Sequence, residues 1–234
     1  MSGYARRSAL MERWKKNIPE SLQQKYDFYN YNYAVEILTQ AFPEEWDELV
    51  NCLESFKLSI NDLTEAGGAE TKIPGKIDST LYPEGWRNVK IKGDLHIDFF
   101  ERKIDQKQYD DEASQERIVY RFIDGHHIDY YKPGVGIQLE WNKKDIDFDR
   151  ALTAVRGFHE SQIISVGVVI TRGESLTQAF KEIIGPDGRP IVKKYGASST
   201  WMGRLVPRIE ARQAGECPVL AIGIRKECIE DLEK

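Results

Sequence analysis

The stretch QIISVGVVITR (162–172) constrains the fold more than any other part of this chain, because it is almost continuously apolar and β-branched. A strand with one wet face alternates apolar and polar residues; an unbroken run marks a strand covered on both faces. CPVLAIGI (217–224) repeats the pattern. Two such strands need helices on both sides of one sheet, and the flanking sequence supplies them. DFDRALTAVRGFHE (147–160) places Phe148, Leu152, Val155 and Phe158 near one helical face, with Asp147 as the expected N-cap. Further helices are expected near 174–184 and over 199–212. VYRFIDGHHIDYYKPGVGIQLEWN (119–142) reads as two or three antiparallel strands. Residues 33–57 carry helical spacing at Val35, Leu38, Phe42, Trp46, Leu49 and Leu53, with Pro43 opening the second of two helices. Helix, hairpin, helix, strand, helix, strand predicts an α/β fold with a central mixed β-sheet flanked by helices.

At 234 residues, one large domain is the default. The expected organisation is a basic N-terminal arm or helix over 1–27, then a single domain over 28–234. Residues 65–85, rich in Gly, Pro and Lys, are expected to form a long loop. Residues 94–100 are strand-like and 101–117 a charged, exposed excursion. No apolar run reaches the length of a membrane span, and the N-terminus lacks the apolar stretch of a secretory signal. Cys52, Cys217 and Cys228 form neither a disulfide framework nor a zinc motif, which fits a reducing cytoplasm. The formal net charge of −5, taken alone, argues against a nucleic-acid partner. DNA responds to local patches, however, and 87–92, 143–144 and 189–194 are locally basic, although ordinary solvated surface is the commoner reason for each.

Lys132-Pro133-Gly134-Val135 is suited to a tight turn with Pro and Gly at its centre. If it closes a hairpin, paired residues face each other symmetrically about it: Asp129 opposite Gln138, and His127 opposite Glu140. One face then presents His127, Asp129, Gln138 and Glu140, and the other Ile128, Tyr130, Ile137, Leu139 and Trp141. Carboxylates and an amide oxygen gathered this way suit a hard cation such as Mg²⁺, which takes oxygen ligands and keeps exchangeable waters. By spacing alone, a hairpin whose solvent face happens to be acidic explains the pattern equally well. His127 more often holds a neighbouring carboxylate than acts on a substrate.

HIDYYKPGVGIQLEWN (127–142) resembles the active-site hairpin of BglII/BstYI-type type II restriction endonucleases, in the BamHI-like branch of the PD-(D/E)XK nuclease superfamily. YNYAVEIL (31–38), YPEGW (82–86), EWNKKDIDFDRAL (140–152), ISVGVVITR (164–172) and CPVLAIGI are similar to that group in the same order. The resemblance implies a restriction-endonuclease-like core, catalytic and metal-binding roles for Asp129, Gln138 and Glu140, and Mg²⁺ as cofactor. It matches Asn88 to a polar residue near the attacking water. It further implies a homodimer acting on a short, palindromic double-stranded DNA site and leaving 5′ extensions. Two departures stand out. Gln138 takes the place of an acidic residue, so it is either a working amide ligand or an inactivating replacement. Residues 94–118 have no counterpart and are a possible insertion. DNA contacts are expected from Asn142, Lys143, Lys144, Ser198, Ser199, Thr200 and Arg204, since Asn, Arg and Lys suit base-edge and phosphate contacts. The alternatives are a repair or junction-resolving nuclease of the same fold, or a catalytically inactive DNA-binding protein.

Overall fold

A computed structural model describes residues 12–65, 68–144, 146–195 and 199–232, apart from the side chains of 68–71. Ser198 and residues 1–11 therefore lie outside the described residues. The order is α1 (Glu20–Lys25), β1 (Tyr26–Tyr31), α2 (Ala34–Ala41), α3 (Pro43–Ser55), α4 (Ile60–Thr64), α5 (Gly68–Leu81), β2 (Arg87–Lys90), β3 (Gly93–Phe99), β4 (Gln115–Ile123), β5 (His127–Lys132) and β6 (Gly134–Leu139). Then come α6 (Asp147–Glu160), β7 (Ile164–Arg172), α7 (Glu174–Ala179), α8 (Val192–Tyr195), α9 (Met202–Glu210) and β8 (Val219–Ile224).

Six strands form one mixed sheet in the order β1-β8-β7-β6-β5-β2. β7 runs parallel to both β6 and β8, while β1 and β5 pair antiparallel at either side. The two unbroken apolar runs are β7 and β8, buried over nearly their whole length. On one face, Val166, Val168, Leu220 and Ile222 share a core with Val35 and Leu38 of α2, Leu49 and Leu53 of α3, and Ile73 and Ile77 of α5. The other face is covered by α6 on β7 and α9 on β8. There Val155 lies against the backbone of Gly167, where a Cβ would sit 2.5 Å from it. Each buried aliphatic side chain contributes roughly 1.5–3 kcal/mol, so these layers hold the central strands stiff.

Two expectations need correction. Residues 65–85 are not a long loop, since α5 fills most of them. Ile73, Ile77 and Leu81 recur every four residues and are fully buried, and this spacing outweighs the Gly, Pro and Lys content. Asp147 is not the N-cap of α6, a position held by Ile146. It lies in the first turn, where its charge still favours the helix dipole. Of the basic arm or helix expected over 1–27, residues 12–27 are described: α1 lies there, Ile18, Leu22 and Tyr26 are buried in the core, and Tyr26 begins β1. The three cysteines are free and buried, and burial pushes their thiols up to about 12, 12 and 11 for Cys52, Cys217 and Cys228.

The chain divides by contacts into two units, one of them Lys90–His127. In that unit β3 and β4 pair antiparallel, with Leu95 opposite Val119 and Phe99 opposite Gln115. Arg121 takes a left-handed φ of 54° beside the register shift, and its N–H donates to Asp94 Oδ1 at 2.7 Å. Residues 100–114 link the two strands and are exposed throughout.

Candidate active site

The hairpin closes in the expected register, with Tyr130 opposite Ile137 and Lys132 opposite Val135. Gly134 holds φ at 91°, and a Cβ there would lie 2.2 Å from the Phe42 ring, so the turn requires glycine. Lys132 anchors the turn to α3, its Nζ 2.6 Å from both oxygens of Glu48. The same carboxylate accepts from the indole of Trp86, the buried tryptophan of YPEGW, at 2.7 Å. That motif thus braces the hairpin.

Beyond Tyr130 the backbone ladder gives way to a side chain, as Leu139 N–H donates to Asp129 Oδ2 at 2.9 Å. This changes the expected facing. Ile128 does not share the side of Tyr130. It packs over Gly136, where a Cβ would lie 2.6 Å from its Cδ1, on the side of Ile164. Replacing a ladder bond by a side-chain bond interrupts the strict alternation on which the expectation rested.

Gln138 and Glu140 lie on the central strand and its exit, only 2% and 4% exposed, while Asp129 is half-buried. Glu140 is held at both backbone ends: its N–H donates to Ile170 O and its carbonyl accepts from Thr171 Oγ1, both at 2.8 Å. Its Oε2 is buried with no hydrogen-bond partner. Lys143 Nζ stands 3.4 Å from each carboxylate oxygen. Burial, reinforced by the charge of Asp129 and only partly offset by Lys143, pushes the Glu140 carboxyl up to about 7. A buried oxygen without a hydrogen bond, beside a second carboxylate and only partly neutralised by Lys143, is a fit for a divalent cation, which would relieve both desolvation and repulsion. Among the described residues no three His, Cys, Asp or Glu side chains converge. The third oxygen group expected here, Gln138, is an amide.

The raised Glu140 pKa has a measurable consequence in metal-free protein. A carboxyl whose folded value lies above its ordinary 4.5 favours the folded state in its protonated form. That contribution is complete below about 4.5 and is lost as the pH rises through about 7. With chelator present, Glu140→Gln is expected to stabilise the fold at about pH 8 by on the order of 2 kcal/mol, or roughly 5 °C in Tm, and to change little at about pH 4. Thermal unfolding at both pH values checks this; equal differences at the two would mean a solvated carboxylate.

Asn88, on β2, lines a cleft of about 840 Å³ with Asp78, Tyr82 and Arg87. The Tyr82 ring packs against Tyr130, centroids 5.7 Å apart, and Tyr130 OH donates to Asp78 Oδ1 at 2.7 Å. Tyr82 also feels the charge of Asp129. The cleft therefore adjoins the hairpin, and most of its wall comes from residues that composition disguised as a loop. His127 opens β5 and is exposed.

The expected DNA-contacting groups separate by burial. Lys143, Lys144 and Arg204 are exposed, and Asn142 is half-buried with a left-handed φ of 50°. Ser199 and Thr200 are 8% and 0% exposed, so their side chains lie inside the fold. Their backbone is engaged instead: Thr200 N–H donates to Lys143 O at 3.0 Å, and Ser199 bridges to Lys144. The other two basic stretches are partly structural. Arg87 donates to the carbonyls of Tyr82 and Trp86, and Lys194 to that of Leu63.

The mixed sheet with its helical layers defines a restriction-endonuclease-like α/β fold. The chain belongs to the restriction endonuclease BglII/BglIII family, whose model matches residues 26–224, from the first residue of β1 to the last of β8. It is a site-specific deoxyribonuclease, a hydrolase acting on DNA, and the resemblance read from residues 127–142 is borne out. No curated protein matches the chain. Among the described residues no helix is long and apolar enough to cross a membrane.

Proposed function

We propose that this enzyme is a Mg²⁺-dependent type II restriction endonuclease acting in the cytoplasm as a homodimer. It cuts both strands of a short palindromic DNA site and leaves 5′ extensions. The observation that carries the metal-dependent reading is the buried Glu140 carboxylate beside Asp129, whose Oε2 has no hydrogen-bond partner and only the Lys143 ion pair at 3.4 Å. Asp129 and Glu140 would hold the ion through charge, and Gln138 through its side-chain oxygen. An ion held by these residues would supply Lewis-acid chemistry, polarising the scissile phosphate and lowering the pKa of a water. The protein's own part is placement. The Ile170 and Thr171 bonds fix Glu140, the Leu139 N–H orients Asp129, and the Lys132–Glu48 pair keeps the turn from swinging. Asn88 would orient the attacking water from the adjoining cleft, and His127 would steady a carboxylate or reach the phosphate. A two-fold symmetric site is read most simply by a two-fold symmetric protein. Digestion of a sequenced plasmid with Mg²⁺, followed by end mapping, tests the reading. Discrete bands with 5′ extensions are expected, and a smear or structure-dependent nicking would favour a repair or junction-resolving activity.

Lys143 and Lys144 follow the catalytic strand directly and are the expected phosphate contacts. Replacing both with Ala should weaken DNA binding and flatten its dependence on salt, by a slope of roughly one for each phosphate left unneutralised. Titrations across a salt series measure this. An unchanged slope would leave Lys143 with only its Glu140 partner and Lys144 on plain solvated surface.

A further inference from the structure

One buried charge has no part in the reading above. Arg172, the last residue of β7, is 1% exposed, and among the described residues no carboxylate pairs with it. A guanidinium taken out of water needs its donors and charge satisfied elsewhere. Nε donates to Thr200 O at 3.0 Å and Nη2 donates to Ser199 Oγ. The Phe180 and Tyr195 rings, stacked 4.2 Å apart, each lie 5.3 Å from Cζ. Burial brings the Arg172 pKa down to about 10, which still leaves it cationic at neutral pH.

The segment that Arg172 grips is tied back to the strand that carries the carboxylate. Thr200 N–H reaches Lys143 O, and Lys143 reaches the Glu140 carboxylate. Thr171, the neighbour of Arg172, donates to Glu140 O. Glu140, Lys143, Thr200, Arg172 and Thr171 thus form a closed ring of interactions. Immediately beyond it, Trp201 caps α9, whose first turn carries the exposed Arg204. The exposed basic groups expected at the DNA thus adjoin or bond to the segment that this guanidinium grips.

We infer that Arg172 is a positioning residue for sequence discrimination: by pinning Ser199 and Thr200 it holds Lys143, Lys144 and Arg204 in register with the Glu140 strand end. This rests on the reading of those three as DNA-facing groups. Arg172 itself touches no DNA. Its loss should blur the choice of site more than it slows cutting at the correct one, because misplaced readers no longer penalise a wrong base.

The test compares wild type, Arg172→Lys and Arg172→Met. kcat/KM is measured on the mapped site and on sites altered at single bases, alongside the ratio of specific to non-specific DNA binding in chelator. Lys keeps the charge but lacks the planar fork that serves two acceptors and two rings. Discrimination should fall by about tenfold or more in Arg172→Met, with Arg172→Lys between. A merely structural role predicts a lower Tm and a uniform loss at all sites; an unchanged discrimination ratio overturns the inference. Should Arg172→Met fail to fold, Phe180→Leu removes one of the two rings while keeping the site apolar, and the same ratio decides. The binding ratio is read without cleavage, so it judges Arg172 even if the metal assignment fails. Absence of discrete bands from wild type would count against the nuclease reading alone.

Discussion

Asp129→Asn is expected to give a folded protein that still binds DNA and cuts it more than about a hundredfold more slowly. The substitution removes one of the two carboxylates beside the proposed ion but keeps an oxygen that accepts the Leu139 N–H. Asp129→Ala should be equally inactive and in addition less stable by about 1–3 kcal/mol, because that N–H loses its acceptor. The pair of variants separates the two duties of the residue. Rates come from plasmid cleavage, binding from titration of labelled duplex without metal, and stability from denaturant unfolding. Near-normal turnover by Asp129→Asn would remove the hairpin from the chemistry.

Gln138→Glu should act in opposite directions with and without metal. Gln138 is 2% exposed and two residues from a carboxyl that burial already pushes up to about 7. A further acid in that dry corner cannot ionise freely beside Glu140 and Asp129. In chelator at about pH 8 the variant should therefore lose roughly 2–4 kcal/mol. Added Mg²⁺ should restore more stability than it does in the wild type, since ligand affinity for the native state appears directly as stabilisation. Cleavage is expected to stay within about tenfold of wild type at saturating Mg²⁺, because tighter binding in the ground state does not by itself lower the barrier. Thermal unfolding and cleavage at matched Mg²⁺ read both quantities. A gain of orders of magnitude would identify Gln138 as an inactivating residue. An unaltered Mg²⁺ response would place it outside the ion's surroundings.

The parts of this architecture written in local pattern were legible in the sequence. β7 and β8 announce themselves as unbroken apolar runs, and Pro133-Gly134 fixes the hairpin register because a two-residue turn leaves no freedom in pairing. What stayed hidden depends on partners far away in the chain. Ser199 and Thr200 look like surface hydroxyls until Arg172, 27 residues from Ser199, is found holding them. The cleft beside the hairpin was invisible because α5 carries Gly75 and Pro74, which read as loop, around a buried Ile73, Ile77 and Leu81. Ile128 lies on the side opposite to the one alternation predicts, because alternation assumes backbone pairing and at Asp129 a side chain takes over that role. Asn88 could be found only by resemblance. Its place in the cleft rests on β2 lying next to β5, which no spacing rule reveals.

The position of β6 in the sheet also sets what a growing chain must contain before the hairpin is supported. β5 and β6 emerge together, but the carbonyl of Ile170 and the hydroxyl of Thr171 that fix Glu140 belong to β7, and β7 has its own second neighbour only in β8, ending at Ile224. Parallel pairings of this kind close across long intervals of sequence and form late. A ribosome-bound fragment thus carries the acidic hairpin without the support that aims it. If the hairpin is the active site, as proposed, cleavage requires β7 and β8 as well as β5 and β6.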